Sequence, residues 1–394
     1  MTSAVITGSG IVGPSISNIE QFSHILRTGT CIVKPENYNG KMFYTGRITD
    51  EQLKERGMSK HPKPVNILLQ AAEEAVAEAK ATFQGARTAV IIGSSGGMLA
   101  EIEAYSRKTI TKKRISSYAV GNMNTNSLST SINAAFGMTG ISFTISNSCT
   151  SGLDALYMAK MLIEANQADV CIAGGVDAVF SDTIVKGFTP LRSLQPFDPL
   201  LTYQGPFSAG RGFSMSEGAG VVVVERREYA EKRKARILGA IDAVSLSQDA
   251  VSPYSSDPAG EQLLKAVDEC LRYGFPDYIN SQALGLEEND RIEERIYRER
   301  FSASRIPITS IKGMIGHPMG ASGMFQVISS LISMEKQFIP PVIHADPLLY
   351  KELPLNENVQ YGKIERVLIT THGYGGNNSA ALISKGVHPW NSHY

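Results

Sequence analysis

The feature that most constrains the fold is a repeated alternation of short apolar, β-branched runs with longer stretches of helical periodicity. AVITGSGIV (4–12), TAVIIGSS (88–95), GISFTIS (140–146), DVCIAGG (169–175) and GVVVVE (220–225) predict strands. VNILLQAAEEAVAEAK (65–80) and SGLDALYMAKMLIEANQ (151–167) carry apolar residues at helical spacing. A second series follows. ARILGAIDAVS (235–245), DYINSQA (277–283) and RVLITTHG (366–373) predict strands, and GEQLLKAVDECLRYG (260–274) and GMFQVISSLISMEKQF (323–338) predict helices. Such alternation implies an α/β class with helix-covered sheets whose strands are buried on both faces. The two halves share one rhythm and no low-complexity linker parts them. We therefore expect a duplicated fold packed as one body, with halves at 1–234 and 235–394.

A chain of 394 residues with 42% hydrophobic and 19% charged residues has the balance of a globular protein. A formal net charge of zero argues against bulk nucleic-acid binding. MTSAVITGSGIVG lacks the basic flank and apolar core of a signal peptide, and no apolar run reaches membrane-spanning length. Cys31, Cys149, Cys171 and Cys270 are scattered without metal-ligand spacing, which predicts free thiols and a cytoplasmic setting. PFDPLLTYQGPFSAGRGF (196–213) is expected to form a long surface loop, and the tail KGVHPWNSHY (385–394) shows no regular periodicity.

Three stretches can carry chemistry. In SNSCTSGLDAL (146–156), Cys149 sits between a strand and the start of a helix. Helix N–H groups there would lower its thiol pKa and could stabilise an oxyanion. The alternative is a buried structural cysteine. In SIKGMIGHPMGASG (310–323), His317 follows Lys312 by five residues and can act as a hydrogen-bond donor, acid or base. A core histidine and a solvated lysine are the alternatives. In TTHGYGGNNS (370–379), His372 and Tyr374 bracket Gly373 in a turn able to approach a ligand closely. The alternative there is a strand-ending turn with an incidental histidine. GSSGGM (93–98) and GSGIVG (8–13) are weak nucleotide-loop signals without the residues that would complete them.

Taken in order, these pieces resemble the β-ketoacyl-acyl-carrier-protein synthases of the elongating, type-II-like branch. AVITGSGIVGP, SNSCTSGLDAL, AGGVDAV (173–179), PFD (196–198), SEGAGVVVVE (216–225), IKGMIGHPMGASG and HGYGGNNSA match that family's landmarks across nearly the whole chain. The resemblance implies a thiolase-like fold, a pseudo-duplicated five-layer α-β-α-β-α arrangement, and a dimer. It implies that Cys149 accepts an acyl chain from the phosphopantetheine arm of an acyl carrier protein, with His317 and Lys312 in the site. No metal or bound cofactor is implied, because phosphopantetheine arrives on the carrier. Lys113 and Arg114, within RKTITKKR (107–114), fall near the family's carrier-docking positions.

The departures from the family pattern are as informative. Gln282 stands where a catalytic histidine is expected, in INSQALGLEEND, and a carboxamide cannot take a proton at neutral pH. Gln326 stands where a glutamate pairs with the lysine. His372 occupies the place of a phenylalanine that gates the site, so His372, Gly373 and Tyr374 form the expected gating loop. Three readings follow: a condensing enzyme in which His372 partly replaces the missing histidine, a non-elongating acyltransferase, and a chain-length-factor-like subunit of a ketosynthase heterodimer. The retained Cys149 counts against the last. A non-catalytic carrier-binding module is the alternative outside enzymology.

Overall fold

The structure, a computed structural model, describes residues 3–38, 40–54 and 61–386. Residues 387–394 of the C-terminal tail, including His388 and His393, lie outside the described residues.

Ten strands form the main sheet: β1 (Ala4–Val12), β2 (Thr88–Gly93), β3 (Ile141–Ile145), β4 (Val170–Asp177), β5 (Gly218–Arg226), β6 (Gly239–Gln248), β7 (Tyr278–Asn280), β8 (Ile308–Thr309), β9 (Arg366–Gly373) and β10 (Asn377–Lys385). Their order is β8-β7-β9-β10-β6-β1-β5-β4-β2-β3. Read outward from the β1–β6 junction, the two sides repeat one pattern. β1 pairs antiparallel with β5 and β5 with β4, after which β4, β2 and β3 run parallel. β6 pairs antiparallel with β10 and β10 with β9, after which β9, β7 and β8 run parallel. The sides join only through Val5–Ala240 and Ile6–Gly239. This is the duplication expected from the shared rhythm.

Seven of the helices among the described residues frame the site and its sheets: α1 (Lys63–Ala79), α2 (Leu99–Ile110), α3 (Ser127–Phe136), α4 (Ser151–Glu164), α5 (Glu261–Leu271), α6 (Glu287–Phe301) and α7 (Ser322–Lys336). α4 touches β4 and β2 of one half and β6 and β10 of the other, while α7 touches β9 and β10 as well as β5, β4 and β1. These two helices therefore lie between the halves as the central layer. α7 is buried from Ser322 to Met334, as a helix covered on every side must be. α1 and α3 cover the outer face of the first half, and α5 that of the second.

α1 explains the G-x-G of the opening strand. Its buried stripe includes Val65, Leu68, Ala71, Ala72, Ala75 and Ala79. A Cβ at Gly8 would lie 2.1 Å from the Ala75 carbonyl oxygen, and one at Gly10 would lie 2.0 Å from that of Ala71. The glycines admit a helix, not a nucleotide.

Three expectations need correction. The stretch 196–213 is not all surface loop: Leu200 is exposed, but Gly205–Ser208 is buried, with the Phe207 ring against Tyr350 and its N–H donating to Asp290 at 2.6 Å. β3 is not covered on both faces, since it ends the sheet and leaves Phe143 48% exposed. The strand expected over 277–283 stops at Asn280, and Ser281–Leu284 turns into the site.

Candidate active site

The site forms where equivalent turns of the two halves meet. β3 leads through Asn147 and Ser148 into a 3-10 turn, Ser148–Thr150, and then α4. β8 leads through Lys312–His317 into α7. The helix N-termini pack closely: a Cβ at Gly152 would stand 2.8 Å from the Gly320 carbonyl oxygen.

Ser148 holds a left-handed φ of 56°, a conformation a non-glycine residue keeps only where its surroundings impose it. The imposing group is buried Asp154. It accepts hydrogen bonds from Asn147 and Thr150, both at 2.9 Å, and from Ser379 of β10 in the other half. Asp177 performs a matching task. It accepts from Ser94 Oγ (2.7 Å), Ser95 N (3.0 Å), Gly96 N (2.9 Å) and Gly320 N (2.6 Å), so GSSGGM is a structural turn clamped to the histidine loop.

Cys149 is buried, and His317 Nε2 lies 3.1 Å from its Sγ. The His317 ring stands edge-on to Phe213, and its backbone N–H donates to Ser214 O at 2.7 Å. Burial pushes the Cys149 thiol up to about 11, against opposing pulls from the Ser148 hydroxyl, the Lys312 charge and the Tyr374 backbone N–H. The direction is opposite to that expected at a helix N-terminus, and desolvation of the thiolate is its largest cause. Burial also drives His317 well below the usual imidazole range, helped by Lys312 and His372. The resting pair is thus thiol and neutral imidazole. The 3.1 Å contact accommodates either an S–H donated to Nε2 or an Nε2–H donated to sulfur, and Nδ1 has no hydrogen-bond partner among the described residues.

Lys312 is buried, not solvated. Its Nζ lies 3.5 Å from the Ser281 carbonyl oxygen, and burial brings its pKa down to about 7 against the pull of Glu293, Cys149 and Asp290. His372, at the end of β9, is also buried and not incidental. Its Nδ1 lies 3.5 Å from Asn289 Nδ2 and its Nε2 3.4 Å from Glu293 Oε1. Burial lowers its pKa, with Glu293 opposing. The next residue, Gly373, presses on the nucleophile: a Cβ there would stand 2.9 Å from the Cys149 nitrogen. Tyr374 is half exposed beside Tyr254.

Both glutamines are committed to structure. Gln282 Nε2 donates to the His372 carbonyl at 3.1 Å, and its Oε1 accepts from Ser322 Oγ at 3.4 Å. Gln326 Nε2 donates to the carbonyls of Asn280 (2.8 Å) and Thr370 (3.1 Å). Sequence reasoning missed Glu293. It lies on the face of α6 that buries Asp290, Ile292, Ile296 and Tyr297, and accepts from Ser281 Oγ (2.6 Å), Thr370 Oγ1 (2.9 Å) and Tyr297 Oη. Its helical spacing with those residues was the available signal. Lys113 and Arg114 are exposed just beyond α2, away from the buried cluster, whereas Arg107 is paired with Glu103 and Asp182.

Residues 1–230 match the Beta-ketoacyl synthase, N-terminal domain, and residues 238–346 the Beta-ketoacyl synthase, C-terminal domain. The chain belongs to the β-ketoacyl synthase family. It is 28% identical to a putative polyketide beta-ketoacyl synthase 1 of Streptomyces cyaneus, over 96% of this chain and 97% of that one. It is also 28% identical to the 3-oxoacyl-[acyl-carrier-protein] synthase 2 of Coxiella burnetii, over 97% and 98%. A solved structure of a type II polyketide synthase acyl-carrier protein in complex with its ketosynthase shares the fold, with a TM-score of 0.87 at 24% identity, covering 98% of this chain and all of that one. Gln282, Gln326 and His372 are all buried in this site.

Proposed function

We propose that this β-ketoacyl synthase accepts an acyl chain onto Cys149 from the phosphopantetheine thioester of an acyl carrier protein, in fatty-acid or polyketide synthesis. The observation that carries the reading is the 3.1 Å approach of His317 Nε2 to Cys149 Sγ in a buried site. The thiol proton passes to Nε2 as sulfur attacks the thioester carbonyl carbon. Negative charge develops on the carbonyl oxygen beside the backbone N–H groups of the Cys149 turn. The bond to the pantetheine sulfur then breaks, the acyl group stays on Cys149, and the departing sulfur takes the proton from His317.

For chain extension, malonyl carrier protein would lose carbon dioxide, and its carbanion would attack the Cys149 thioester. His317 is one imidazole for this step. We propose His372 as the second, since the next residue, Gly373, lies against the Cys149 backbone. Four free cysteines agree with a reducing, cytoplasmic setting.

One observation favours a second reading, a chain-length-factor-like subunit: the carboxamides of Gln282 and Gln326 are spent on backbone carbonyls. The intact Cys149–His317 pair favours acyl transfer. Incubation with acyl carrier protein, followed by mass analysis of the Cys149 peptide, decides between them. A covalent acyl adduct is expected, and its absence with intact fold overturns the acyltransferase. Carbon dioxide release from malonyl carrier protein then reports extension. Purification as a homodimer supports a self-sufficient enzyme, whereas co-purification with a second ketosynthase supports the subunit reading.

A further inference from the structure

His372 carries two nitrogens where the family's gating ring has none, and both meet protein groups. Asn289 Nδ2, 3.5 Å from Nδ1, can only donate, so Nδ1 is the acceptor. The neutral ring then carries its proton on Nε2, which faces Glu293 Oε1 at 3.4 Å. Neither of these two buried atoms makes a hydrogen bond among the described residues, so the two meet as a close polar contact and not as a formed hydrogen bond. The second oxygen of Glu293 is held by Ser281, Thr370 and Tyr297, so the carboxylate cannot swing away freely. The backbone of the same residue is held separately, through Gln282 Nε2 on the His372 carbonyl. His372 is thus held by one hydrogen bond at its carbonyl and by two longer polar contacts at its ring, and Gly373 beside it lies against the Cys149 backbone.

The geometry points to a polar latch, made by Gln282, Asn289 and Glu293, that holds His372 and with it the glycine-rich loop closed over Cys149. Opening the loop breaks the Gln282–His372 carbonyl bond and takes the ring away from Asn289 and Glu293, and a buried group that loses its partner is costly. Gln282 is then a positioning residue of the loop and not simply a lost base. His372 becomes available to a substrate only after the latch releases. The consequence for catalysis rests on the acyl-transfer reading, but the latch itself does not.

The test measures access to the thiol. The full-length protein and its His372→Phe, Asn289→Ala and Gln282→Met variants are treated with iodoacetamide, and alkylation is followed on the Cys149 peptide by mass. Thermal melts establish folding. Asn289 is a half-buried residue near the start of α6, so Asn289→Ala keeps the test available should Gln282→Met fail to fold. Each variant is expected to speed alkylation about three- to tenfold, the size of one released hydrogen bond. The double variant His372→Phe/Asn289→Ala should be no faster than His372→Phe alone, because both remove the same contact. Unchanged alkylation in His372→Phe, or full additivity of the pair, overturns the latch. Alkylation needs no acyl donor, so a latch pattern in a protein that fails to acylate would sink only the acyltransferase reading.

Discussion

His317 Nε2 stands 3.1 Å from Cys149 Sγ, and burial moves the two groups in opposite directions, the thiol up and the imidazole down. The nucleophile is therefore stored as a thiol beside a neutral imidazole. A thiol pushed up to about 11 carries about two orders of magnitude less thiolate at neutral pH than an ordinary cysteine. Alkylation of Cys149 should accordingly keep rising with pH beyond 9, whereas in unfolded protein it levels off there. His317→Ala removes the proton acceptor and should slow acylation at pH 7 by about a hundredfold or more. A plateau at ordinary thiol pH in the folded protein would contradict the buried-thiol account.

Lys312 supplies a charge that comes and goes near neutrality. With its pKa brought down to about 7, it is a cation below that pH and neutral above it. The cation favours the Cys149 thiolate, so its help is present at pH 6 and fades as pH rises through 7. Wild-type alkylation of Cys149 should exceed that of Lys312→Met by about tenfold at pH 6, with the two converging above pH 8. A ratio that does not change with pH would show that Lys312 acts by packing alone.

His372→Ala isolates the proposed second imidazole. It should slow carbon dioxide release from malonyl carrier protein by about tenfold or more, as expected for a lost donor or base. Acyl loading of Cys149 should persist, because the Cys149–His317 contact does not pass through His372. Normal turnover by the variant refutes the role.

How far the sequence foretold this site depends on how local each cause is. Cys149 was legible because it lies in a turn between an apolar strand and a helix, and that turn formed as read, whereas Lys312 and His317 stood out only as a glycine-rich stretch ahead of a helix and took their roles from the family resemblance. Glu293 was not legible, since EENDRIEERIYRERF is rich in charge and resembles a solvated helix. Only the packing of α6 under β7 and β9 turns that one carboxylate inward. The stretch 196–213 misled in the same way: its Pro and Gly content indicates a loop, but the Phe207–Asp290 bond that buries it spans 83 residues. The direction of the thiol shift was missed because the helix end is visible in sequence and the desolvation is not.

We propose that an acidic carrier docks at Lys113 and Arg114. The neighbouring Arg107 is already engaged by Glu103 and Asp182, and Lys108 lies over the Tyr105 ring, which leaves the exposed turn beyond α2 as the proposed docking site. Lys113→Glu/Arg114→Glu should slow loading from acyl carrier protein by about tenfold at low salt and leave loading from a small acyl thioester unchanged. Equal slowing of both would place the defect in the fold or the site.

Gly373→Ala tests whether the loop must seat directly on the nucleophile. The added Cβ would stand 2.9 Å from the Cys149 nitrogen, 3.3 Å from Cys149 Cβ and 3.2 Å from Ser148 Oγ. All three neighbours belong to a turn that cannot yield easily, because Asp154 ties Asn147 and Thr150 to α4 and to β10. The loop must therefore move, carrying the Tyr374 N–H away from the sulfur. The cost of overpacking is about 1–3 kcal/mol, which should lower the melting temperature by several degrees. Acyl loading should fall more steeply than stability, because a group displaced by about 1 Å can cost about a hundredfold in rate. Gly373→Ala protein that melts lower but loads at the wild-type rate would show that the loop's close approach serves packing and not chemistry.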